Sequence, residues 1–71
     1  MQLPEMLRYL RKDSKVPQSS IAKGVGVSTT QYQNYEYGKS DPTATVLIAL
    51  ADYFDVSLDY LVGRSDDPAR R

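Results

Sequence analysis

Apolar residues recur along this chain in short helical stripes separated by turn residues. Leu3, Met6, Leu7 and Leu10 fall at i, i+3, i+4 and i+7, the spacing of an amphipathic helix. Pro4 suits the first helical position, so the stripe predicts a first helix from about Pro4 to Ser14. Pro17 interrupts, and the residue before a proline is biased away from helix. Ile21, Ala22 and Val25 then form the apolar side of a short second helix, about Gln18 to Val25. Ala22 is the small residue where two helices approach closely. Gly24 inside that helix costs roughly 1 kcal/mol relative to alanine. Gly26 offers a left-handed turn residue, and Val27 plugs the turn. Further on, Leu47, Leu50, Ala51 and Phe54 stripe a fourth helix from about Ala44 to Phe54, entered through Asp41-Pro42-Thr43, a turn and an N-cap. Leu58 to Val62 make a fifth helix that ends at Gly63.

Residues 28 to 39 break this apolar pattern and carry the candidate chemistry. Ser28 is a good helix N-cap and Gly38 a good stop. Between them Tyr32, Tyr35 and Glu36 share one side of a third helix. Thr29, Thr30, Gln33, Asn34 and Tyr37 share the other. The second face has no Leu, Ile or Val and no net charge, yet it is dense in short donors and acceptors. A face meant only for water would more often carry Glu and Lys. This one suits base edges, where amides and hydroxyls match donor–acceptor pairs; a plain solvated polar face is the alternative. Tyr32 and Tyr35 read as core residues whose hydroxyls each need a partner or an outlet to water.

Composition narrows the function. Seventy-one residues make one small domain. The chain has no Cys and no His, which removes disulfides, thiolate metal sites, His-ligated metals and any His-dependent triad. Without those residues or a paired-carboxylate site, an enzyme is disfavoured, and no cofactor or metal is expected. No apolar run approaches the ~20 residues a bilayer needs. No signal peptide is visible at the N-terminus, so a cytoplasmic protein is the default. Net charge is zero but unevenly spread. Residues 1–40 hold six bases against three acids, residues 41–63 hold four acids and no base, and residues 64–71 hold three arginines against two aspartates. The N-terminal half could therefore face phosphates while the acidic half stays away from them.

The second and third helices flank a short turn in which Ala22 sits four residues before Gly26 and Val27 follows it. That is helix-turn-helix spacing. Gln18 through Asp41, with Gln-Ser-Ser-Ile-Ala-Lys-Gly-Val-Gly-Val-Ser and Asn-Tyr-Glu-Tyr-Gly-Lys-Ser-Asp-Pro, resembles the phage-repressor and Cro type of helix-turn-helix, the bacterial regulator group also called the xenobiotic-response-element family. Asp55-Val56-Ser57 resembles that family's short linker, with Ser57 capping the fifth helix, and the resemblance runs over roughly residues 3 to 66. It implies an all-α, five-helix, lambda-repressor-like DNA-binding domain over residues 1–66, with a disordered tail over 67–71. The chain departs from the family pattern at Pro17, where Ser or Thr is usual, at Lys15, where Gly is common, and at Gly24.

By position, the resemblance places Thr29, Thr30 and Asn34 among base-reading side chains, with Gln33 beside them. It places Gln18 against backbone phosphate. Ser28, Tyr37, Lys39 and Ser40 are further candidates for phosphate contact. It also pairs Arg11 with Glu36, tying the first helix to the third. Arg8 and Lys12 read as a solvated basic face. The implied activity is sequence-specific regulation of transcription, as a repressor. The implied partner is double-stranded DNA with a near-palindromic operator, bound by a homodimer. The fifth helix, with Tyr53, Tyr60 and Val62 nearby, is the candidate dimer surface, and partial exposure is its plain alternative. A protein-interaction module on the same fold, such as an antitoxin or co-activator, is the second reading; it needs an exposed apolar groove.

Overall fold

The computed structural model describes residues 2–69. Among them are five helices and no strand: α1 (Leu3–Ser14), α2 (Gln18–Val25), α3 (Thr29–Tyr37), α4 (Ala44–Phe54) and α5 (Leu58–Leu61). α5 stops one residue short of the expected Val62, and Gly63 (φ 84°) turns the chain away. None of the five is long and apolar enough to cross a membrane.

The helix ends follow local chemistry. Ser28 Oγ accepts from Gln31 N–H, Thr43 Oγ1 from Val46 N–H and Ser57 Oγ from Tyr60 N–H, so α3, α4 and α5 each begin with a free amide satisfied. α2 has no such bond, because Pro17 stands at its cap. α1 ends at Lys15 in the left-handed conformation (φ 59°), where glycine is cheaper. α2 ends at Gly26 (φ 82°), a conformation glycine adopts freely.

Each helix sends one side chain fully into a single core: Leu7, Ile21, Tyr32, Leu50 and Leu61 are all 0% exposed. α3 packs on α1 and α2, α4 packs on α2 and α5, and α5 closes back on α1. Within α4, Leu50 and Ala51 are buried, while Leu47 and Phe54 pack half-buried at the core edge. Gly24 marks the seam between α2 and α4. A Cβ there would lie 2.6 Å from the Tyr53 ring, so glycine gives the aromatic room against the helix backbone.

The chain beyond Gly63 folds back: Ser57 N–H donates to Pro68 O at 2.9 Å. The tail expected to be disordered spans 67–71, of which residues 70 and 71 lie outside the described residues.

Candidate nucleic-acid interface

α3 is positioned by a polar network that starts from a buried charge. Glu36 is 1% exposed. A carboxylate taken out of water needs a cation and several donors. Arg11, from the last turn of α1, supplies both: Nε lies 2.7 Å from Glu36 Oε2 and Nη2 lies 3.1 Å from Oε1. Gln18 Nε2, at the start of α2, donates to the same Oε1 at 3.2 Å. One carboxylate on α3 thus joins α1 and α2. Burial alone would push the Glu36 carboxyl up. The hydrogen bond from Arg11, aided by the Arg11 charge and Gln18, outweighs burial and holds it below its ordinary value. The hydrogen bond to Glu36 in turn raises Arg11.

The network extends further than the sequence indicated. Arg8 is not a solvated base: its Nη1 donates to the backbone carbonyl of Glu36. That places a cation in the last turn of α3, where the free carbonyls carry partial negative charge. Arg8 and Arg11 are one turn apart on α1, so the spacing that aims Arg11 at Glu36 also aims Arg8. That is the signal that could have found it. Gln33 Nε2 donates to Gln18 Oε1 at 3.0 Å, and Gln31 Nε2 reaches Ser40 Oγ at 3.4 Å. These glutamine contacts depend on side-chain reach and leave no trace in periodicity.

Tyr32 and Tyr35 are buried. Burial first, and the neighbouring Glu36 charge next, push the Tyr32 hydroxyl far up from its ordinary pKa. That hydroxyl is enclosed and makes no well-formed hydrogen bond among the described residues.

The outward face of α3 differs in kind. Thr29 and Thr30 are exposed in its first turn, and Asn34 lies half-exposed one turn on. Their side chains make no hydrogen bond to any described residue, so their donors and acceptors are available to a ligand. Gln33 is half-buried beside them. Ser28 is exposed, but its oxygen already caps α3. Tyr37 is 61% exposed, and the Lys39 ammonium sits 5.9 Å from its ring centroid, so the two form one patch at the end of α3. Ser40 is half-buried against Gln31. Gln18, Gln33 and the free side chains of α3 therefore share one polar surface, flanked by Lys39. Among the described residues, no cluster of His, Cys, Asp or Glu could hold a metal ion.

The acidic end carries another exposed feature. Ile48 is 53% and Leu58 42% exposed, beside an open cleft between α4, α5 and the folded-back C-terminal segment. Of the expected dimer residues, Tyr60 and Val62 are half-buried and Tyr53 packs its ring against Gly24.

A protein-family model described as helix-turn-helix matches residues 7–61. An uncharacterized HTH-type transcriptional regulator of Bacillus subtilis, YobD, is 38% identical over 64 residues, covering 90% of this chain and 57% of the relative. The cryptic phage CTXphi transcriptional repressor RstR of Vibrio cholerae is likewise 38% identical over 64 residues, with the same coverage. Among solved structures, the P22 c2 repressor in complex with synthetic operator 9T superposes with a TM-score of 0.85 at 31% identity, covering 92% of this chain and 98% of that one. The chain belongs to the helix-turn-helix family, of the phage-repressor type. It spans a little over half the length of the curated relatives it matches.

Proposed function

We propose that this helix-turn-helix chain is a sequence-specific DNA-binding regulator of transcription, acting as a repressor by occupying a promoter. α3 lies in the major groove and α2 crosses the backbone. Thr29, Thr30, Gln33 and Asn34 face base edges. Asn34 suits adenine, and the threonine methyls suit the thymine methyl. Gln18, Ser28, Tyr37, Lys39 and Ser40 meet phosphates, helped at Gln18 by the positive end of α2. The observation that carries this reading is the division of α3 into two faces. One is locked by Glu36 to both neighbouring helices, and the other offers unpaired donors and acceptors. A helix held this rigidly and left this unsatisfied is organised for a polar ligand. The P22 c2 relative was solved on operator DNA, which supports the same reading.

The protein binds as a dimer, at least on DNA, with half-sites about 34 Å apart on a near-palindromic operator. The α4–α5 end, with exposed Ile48 and Leu58, supplies the contact between copies. An acidic surface remote from the reading helix keeps the molecule in one orientation on the duplex. The site offers no nucleophile–base pair, so the reading includes no catalysis, and the protein works in the cytoplasm, where the DNA is.

Selection from a random duplex pool at fixed salt tests the proposal. The wild type is expected to enrich an inverted repeat. Asn34→Ala is expected to lose about 1–3 kcal/mol at a single base position, and Lys39→Ala to weaken all sequences alike while reducing the salt slope by about one. Enrichment of nothing at low salt defeats the reading.

A further inference from the structure

We propose that the buried Glu36 carboxylate sets the hydrogen-bond polarity of Gln33, and through it the base that Gln33 accepts, with Gln18 as the positioning residue between them. The inference rests on the reading of α3 as a major-groove helix and adds to it a device for specificity.

A free glutamine amide is ambiguous. It can turn either its oxygen or its NH2 toward a neighbour. Here the ambiguity is removed from the inside outward. The ionised Glu36 only accepts hydrogen bonds, and it is held in place by Arg11 Nε and Nη2. Gln18 must therefore turn its Nε2 toward Glu36, where it sits 3.2 Å from Oε1. That turns Gln18 Oε1 toward Gln33, and an oxygen there demands a donor. Gln33 answers with its own Nε2 at 3.0 Å. One of the two Nε2 hydrogens of Gln33 is thereby committed. Its second hydrogen and its Oε1 remain, and they take no partner among the described residues.

What remains is one donor beside one acceptor, in fixed order. Adenine matches it, presenting the N7 acceptor and the N6 amino donor in the major groove. Guanine does not, because N7 and O6 are both acceptors and O6 would face Gln33 Oε1. A free glutamine could flip to lessen that clash. Gln33 cannot flip without turning its oxygen onto the oxygen of Gln18. Rejection of guanine thus depends on a charge that never touches DNA.

Two measurements test the relay. In the protein without DNA, Gln18→Ala should shift the side-chain amide resonances of Gln33 while leaving the backbone spectrum folded. Unmoved Gln33 resonances overturn the relay. In pool selection, the wild type should prefer adenine to guanine about tenfold or more at one base position. Gln33→Ala should abolish that preference. Gln18→Ala should lower affinity for all sequences, through the lost phosphate contact, and bring adenine and guanine toward parity at that one position only. Unchanged adenine preference in Gln18→Ala, or a wild-type preference for guanine there, overturns the inference while leaving the regulator reading intact. Failure of the wild type to enrich any sequence overturns both.

Discussion

Helices α3 and α4 have nine and eleven residues and both pack on α2, but different forces hold them. α4 buries Leu50 and Ala51 and makes its contacts through apolar area, which is strong but indifferent to small rotations. α3 buries two tyrosines and a glutamate, and its bonds to α1 and α2 are directional. A hydrogen bond weakens steeply with angle. An element fixed by several of them therefore keeps its rotation about its own axis. For α4, correct depth in the core suffices. For α3, proposed to aim side chains at base edges, rotation matters as much as depth. Labour is divided between the two: apolar burial supplies stability in α4, and polar bonds supply register in α3.

The largest expected effect lies on the α4 side. Leu50 is wholly enclosed, so Leu50→Ala removes transfer energy and leaves a cavity, and should cost about 2–5 kcal/mol. In a domain this small, that shifts the melting midpoint by ten degrees or more. The loss should be nearly independent of pH. The fraction of molecules still folded should keep the wild-type base preferences, since nothing in the α3 network has changed. Thermal melts across pH, with DNA selection below the midpoint, check both points. A change in base preference would mean that register also depends on the apolar core.

Glu36→Ala probes the other side and should cost about 3 kcal/mol, because Arg11 and Gln18 lose the group they were built around. Its signature is in the pH dependence. The folded Glu36 carboxyl is held below its ordinary value near 4.5. Its ionised form is thus favoured by folding. This contribution is fully present above that value and is lost as pH falls through the lower folded pKa. Wild-type stability should therefore decline on acidification below about 4.5, and the difference between wild type and Glu36→Ala should shrink over the same range. An unchanged melting temperature at neutral pH would remove the network from the account of how α3 is held.

These contrasts also explain what was legible in the sequence. α1, α2 and α4 are legible from apolar spacing, in Leu3, Met6, Leu7 and Leu10, in Ile21, Ala22 and Val25, and in Leu47, Leu50, Ala51 and Phe54, while Ser28, Thr43 and Ser57 mark the starts of α3, α4 and α5, each accepting a first-turn amide. The Arg11–Glu36 contact was reachable only through resemblance, since residues 25 apart in sequence have no local signal. Arg8 reads as solvated because its partner is a backbone carbonyl; only its one-turn spacing from Arg11 points toward α3. Gly24 looked like a weak point in α2, and its reason, the Tyr53 ring of α4, is again a contact between distant segments. The Gln18–Gln33 bond is hidden for the same cause: the resemblance points both side chains toward DNA, and neither role requires them to touch.

The smallest expected effect tests whether polar atoms near Glu36 matter because they are polar or because they are bonded. The Tyr32 hydroxyl is as deeply enclosed as Leu50, yet it makes no well-formed hydrogen bond. A buried hydroxyl without a partner forfeits its bonds to water and gains nothing in return. Tyr32→Phe removes that atom and keeps the ring that fills the core, so stability should be unchanged or rise by about 1 kcal/mol. If a bond from this hydroxyl to Glu36 forms in solution, the same substitution should instead destabilise by a similar amount. Melting temperatures of the two proteins at neutral pH decide between these signs. A loss would enlist Tyr32 among the directional bonds that set the rotation of α3. A gain or no change would confine that task to Arg8, Arg11 and Gln18, the side chains that reach α3 from the helices on either side of it.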